Sequence, residues 1–199
     1  MSDHSAINPA TNPTIFLRLK NSQPAPRELA WNDFHQRYAP IIAGFARRLG
    51  AQQQDIDDVV QDVLLGFFAK APTFVYDPGK GRFRGYLKVC TYRALGRRLG
   101  KNSKFQGRPL DQVDPDELAV DQVWNDLWEQ ELVRRALDEI RQQMGQTKTF
   151  LAFEQYVVYD KAAQDVATNL GMHLNSVYRA KEQITRQIQE RVQSFGDED

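Results

Sequence analysis

Residues 163–180 read AQDVATNLGMHLNSVYRA. Val166 and Ala167 fall on one face of a short helix, with the small Ala167 where a second helix must come close. Gly171 stands where a tight turn needs a left-handed backbone, which a residue without a Cβ adopts freely. Leu170, Met172 and Val177 are spaced to fill a small core between the two helices. His173 falls at the N-cap of the second helix, and Val177 and Ile184 mark its inward side. Over 162–184 the pattern is that of a helix-turn-helix, although a plain helical hairpin would share much of it. In a helix-turn-helix the N-terminal residues of the second helix reach base edges in the major groove of duplex DNA. His173, Asn175, Ser176, Tyr178, Arg179 and Glu182 are the candidate readers, Asn175 and Arg179 being able to contact bases bidentately.

The segments before it are helical as well. Leu127, Val133, Ala136, Leu137, Ile140 and Met144 predict a helix stopping at Gly145, and a shorter helix follows over 148–159. After the turn, the last helix is expected over 174–195. From Lys101 to Val120 the periodicity fades into Asn, Ser, Gly, Pro and acidic residues, which reads as a linker. Further towards the N-terminus, Trp31, Phe34, Tyr38, Ile41, Ile42, Phe45 and Leu49 form one helical face, with Pro40 inside the helix. A second stripe, Ile56, Val59, Val60, Val63, Leu64 and Phe67, predicts a helix from Asp55, its N-cap, to Ala71, ended by Pro72. A third helix is expected over 83–99, with Tyr86, Leu87, Cys90, Ala94 and Leu95 inward and Gly100 as its stop.

Composition is ordinary for a globular chain, 41% hydrophobic and 26% charged, and the formal net charge is zero. That zero conceals two opposite halves. Residues 1–110 hold 17 Lys and Arg against 8 Asp and Glu, whereas residues 111–199 hold 9 against 18. Between Lys80 and Arg108 lie ten basic residues and no acidic one, a pattern suited to a polyanion. In the loop and helix over 75–98 these cations alternate with Phe74, Tyr76, Phe83, Tyr86 and Tyr92. Single-stranded nucleic acid is held by this combination of cationic groove and aromatic stacking, although Phe83 and Tyr86 serve a core equally well. The opposite charges of the halves also predict that the acidic residues of 111–121 screen the basic surface in the free chain.

Other chemistries find little support. His4, His35 and His173 are scattered, and none has metal-ligand spacing with the single cysteine, Cys90, which falls on an apolar helix side as inert core. The run GKGRFRG at 79–85 lacks both the preceding strand and the spacing of a phosphate loop. A lone cysteine and the absence of a signal-like N-terminus or a long apolar run point to a cytoplasmic, non-membrane protein.

Taken together, three stretches resemble bacterial RNA polymerase sigma factors of the extracytoplasmic-function (ECF) type. Residues 163–180 resemble the part that reads the upstream, minus-thirty-five promoter element. Residues 55–68, DIDDVVQDVLLGFF, resemble the sigma helix that grips the polymerase clamp, and residues 81–95, GRFRGYLKVCTYRAL, the region that melts and binds the minus-ten element. The resemblance covers roughly 31–99 and 124–192. It implies an all-α fold of two small helical domains: a region 2-like bundle over 14–101, a linker over 102–121, and a region 4-like domain over 122–195.

The resemblance further implies a sigma factor and not an enzyme, with no cofactor and no metal. Its partners are core RNA polymerase and promoter DNA, both double- and single-stranded, and it admits an anti-sigma protein as well. Asp58, Gln61, Asp62 and Leu65 would meet the polymerase. Phe74, Tyr76, Lys80, Arg82, Phe83, Arg84, Tyr86, Lys88, Arg93, Arg97 and Arg98 would meet the melted strand, and the candidate readers of the last helix the upstream duplex. Arg93 stands where many relatives carry asparagine, so their base preference does not carry over. The competing reading is a stand-alone helix-turn-helix regulator that does not engage polymerase.

Overall fold

The computed structural model describes residues 13–21, 23–74, 83–98 and 117–196. Among them the chain is all-α: α1 (Pro13–Leu19), α2 (Pro24–Arg48), α3 (Gln53–Lys70), α4 (Phe83–Arg98), α5 (Glu117–Met144), α6 (Lys148–Phe153), α7 (Ala163–Leu170) and α8 (Leu174–Gly196). No helix among these residues is long and apolar enough to cross a membrane. The chain divides into two compact units between Glu131 and Leu132, inside α5.

In the first unit α2 starts on Pro24, where a missing N–H and a fixed φ cost nothing. Pro40 sits within the helix on its exposed side, where water meets the carbonyl it leaves unpaired. The N-cap of α3 is Gln52, not Asp55; Asp55 lies one turn in, where the positive end of the helix dipole still favours its carboxylate. Ile56, Val59, Val63 and Phe67 are the buried stripe of α3, at three- and four-residue steps.

The core here is aromatic. Phe34 stacks on Phe67 at 4.7 Å, and Phe83 meets Phe16, Phe34, Tyr38, Phe67, Phe74 and Tyr86, ring centres 4.9 to 5.9 Å away. On α4 the buried positions are Phe83, Leu87, Thr91, Ala94 and Leu95. Cys90, expected inside, is only half-buried, and Thr91 takes the inner position. Burial of that hydroxyl is tolerated because it donates to the Leu87 carbonyl at 2.8 Å.

The first half of α5 belongs to this unit. Trp124 packs edge-on against Phe45, Trp128 lies against Tyr38, and both indoles are almost fully buried. Gly44 of α2 admits Leu127 so closely that an added Cβ would sit 3.0 Å from its methyl.

The second unit begins with the rest of α5, which ends at Met144, just before Gly145. A Cβ there would meet the Arg141 carbonyl at 2.5 Å. Thr147 caps α6 by accepting a hydrogen bond from the Phe150 N–H at 3.2 Å. α6 runs on into a π-helical turn, Glu154–Val158, where a single helix through 159 was expected. Phe150, Phe153, Ile140 and Ile184 pack together; Ala152, Val166, Ala167, Val177 and Ala180 form the neighbouring cluster. Arg191 ties the far end of α8 to Gln143 at 2.6 Å, and Arg135 lies over the Phe195 ring.

Candidate nucleic-acid and polymerase interfaces

In the second unit α7 and α8 are joined by a short turn, where the sequence predicts a helix-turn-helix. α7 ends at Gly171, whose φ of +57° and ψ of +52° turn the chain, and α8 starts three residues later. Gly171 and Met172 donate their N–H groups to the carbonyls of Thr168 and Ala167, closing the helix end. Lys148 adds a 2.8 Å hydrogen bond from its ammonium to the Leu170 carbonyl. On α8, Val177, Ala180 and Ile184 face inward, so the opposite side is free.

That side carries the expected readers. Asn175, Tyr178, Arg179 and Glu182 are exposed, as is His173 in the turn, while Ser176 is half-buried. The His173 carbonyl accepts from the Ser176 N–H at 2.8 Å, starting the helix. Tyr178 leans edge-on against Tyr156 from the π-helical turn, and Lys181 lies over the same ring. Arg186, outside the expected set, is exposed two turns beyond Arg179 on the same face, where the helical spacing continued past Glu182 falls.

In the first unit, α3 presents Asp58 and Asp62 half-exposed, Gln61 exposed, and Leu65 at 57% exposure. They follow three- and four-residue steps along one face. Phe68, 49% exposed and 4.7 Å from Trp31, continues this line one turn beyond Leu65.

The basic segment divides into three groups. Tyr76, Lys80 and Arg82 lie outside the described residues. Phe83, expected at the strand-binding surface, is 2% exposed and a core residue, its ring enclosed by six aromatic neighbours; Phe74 and Tyr86 are half-buried beside it. Burial raises the Tyr86 phenol above its ordinary range, and a hydrogen bond with Cys90 adds to the shift. Arg93 and Arg97 are exposed, and Arg84 half so. Lys88 pairs with Asp121 at the start of α5. Arg98 reaches across to α3, pairing with Asp58 and with Asp62 at 3.2 Å. Two groups expected to face different partners therefore face each other.

Among the described residues, no group of three or more His, Cys, Asp or Glu side chains is placed to hold a metal ion. Neither the curated proteins nor the solved structures hold a match to the chain. Residues 34–105 match the family model described as Sigma-70 region 2, a span that takes in most of α2 together with all of α3 and α4. α7 and α8 lie outside that span. The acidic face of α3 and the cations of α4 thus stand on a segment similar to region 2 of the sigma-70 factors.

Proposed function

We propose that the chain is a sigma factor of the ECF type, which binds core RNA polymerase and directs promoter-specific initiation. The observation that carries the reading is the region 2 match over α2 to α4, which joins the acidic, leucine-bearing face of α3 to the cationic α4. Docking uses Asp58, Gln61, Asp62 and Leu65. Arg84, Lys88, Arg93, Arg97 and Arg98 hold phosphates of the melted strand with Lys80 and Arg82, while Phe74, Tyr76 and Tyr86 offer rings to its bases. The exposed side of α8 reads the upstream duplex through Asn175 and Arg179. No bond is made or broken by the protein; its contribution is binding energy at two promoter sites held by one enzyme.

The test is to mix the purified chain with core polymerase and promoter-containing DNA. Initiation at defined start sites is expected. A chain that binds duplex DNA but not core polymerase would be the stand-alone regulator instead. Arg179→Ala should weaken preference for the upstream element while leaving core binding intact. A lost bidentate contact costs about 1–3 kcal/mol of discrimination.

A further inference from the structure

We propose that Asp58 and Asp62 form a receptor for a guanidinium group, which Arg98 fills in the free chain until a basic partner takes its place. The proposal rests on the polymerase-docking reading above and adds to it a competition within the chain. Asp58 and Asp62 are one helical turn apart on α3, so their carboxylates stand side by side. Arg98 comes from the last turn of α4, 36 and 40 residues further along the chain. Its Nη1 donates to Asp58, while Nε and Nη2 both donate to Asp62 at 3.3 and 3.2 Å. Three N–H groups of one planar fork thus span the two acids, a geometry that an ammonium on a flexible stem does not reproduce.

The three side chains remain between 33% and 47% exposed. Ion pairs this open are weak and screened by salt, so the fork is held loosely and exchanges with a competitor. A partner that presents arginine to the face of Asp58, Gln61, Asp62 and Leu65 meets a site already shaped for that group. Displacement frees Arg98, whose neighbours Arg93 and Arg97 on α4 are exposed, to join them on a polyanion. Docking on α3 and strand binding on α4 are then coupled, and the coupling acts equally in both directions.

The experiment titrates the full-length chain with a mixed-sequence single-stranded DNA oligonucleotide at low salt. Asp58→Asn with Asp62→Asn should tighten binding about two- to fivefold, the range set by exposed ion pairs. Removing two carboxylates also favours a polyanion through the general field, and the Arg98→Gln background isolates that contribution. In that background the gain should shrink to the general-field contribution alone. An equal gain with and without Arg98, or no gain at all, overturns the proposal. In a parallel titration with core polymerase, Arg98→Gln alone should bind tighter by a similar factor; unchanged or weaker binding also overturns it. A wild-type chain that fails to bind core polymerase would sink the docking reading instead, and the oligonucleotide comparison would still decide whether Arg98 is held in competition.

Discussion

Gly171 has a left-handed backbone, and the nearest atom that an added Cβ would meet is the Lys148 ammonium at 3.9 Å. Space is therefore no obstacle, and Gly171→Ala costs only the left-handed conformation of an L-residue, about 1–2 kcal/mol. Thermal unfolding of the second unit should move down accordingly, with the helical signal unchanged at low temperature. Tyr86 gives a residue-scale prediction of a different kind. Its phenol is held above the ordinary range by burial, so the folded chain prefers the neutral form. The stability this contributes is fully present below the ordinary phenol value of about 10 and is lost as pH rises through the higher folded value. Denaturant unfolding followed through the alkaline range should show the decline, and Tyr86→Phe should flatten it. A variant that declines as steeply as the wild type would mean that another group is responsible.

At the scale of elements, α5 departs most from the sequence reading. Its apolar positions predict a helix, but periodicity does not reveal which unit a helix packs against. The expected linker over 102–121 and domain start at 122 placed Trp124 and Trp128 in the second domain, whereas both indoles pack against α2 in the first. The short hydrophobic spacings within α2, α3, α4, α7 and α8 were legible because each helix buries one face, and that face repeats every three or four residues. Less legible were the π-helical turn at 154–158 and the pairing of Arg98 with Asp58 and Asp62, which depend on packing between segments distant in sequence. The position of the two tryptophans makes a direct prediction. A fragment ending at residue 101 lacks both, and each buried indole removed costs about 3–5 kcal/mol in comparable cores. It should unfold well below a fragment ending at residue 131. Equal melting temperatures for the two would show that the first half of α5 adds nothing to the unit.

Over the whole molecule the zero net charge is the least informative number, because the basic and acidic residues are sorted along the chain. Part of that sorting is already neutralised locally: Lys88 by Asp121, and Arg98 by Asp58 and Asp62. Asp121, the acidic residue of 111–121 whose side chain is described, faces the basic α4 through Lys88. Arg93 and Arg97 remain exposed on α4. Because phosphate contacts release counterions, affinity for a single strand should fall with salt by about 0.7 log units per log unit of salt for each phosphate neutralised. A chain of zero net charge would show little dependence if only its total charge mattered. A steep dependence is expected, because binding senses the local block of cations. Arg93→Ala and Arg97→Ala should each lower the slope by about 0.7, since each removes one phosphate partner without disturbing the core. Asp121→Asn should act oppositely, raising the slope as Lys88 becomes free. A wild-type slope near zero, or slopes insensitive to all three substitutions, would place the strand elsewhere than on α4.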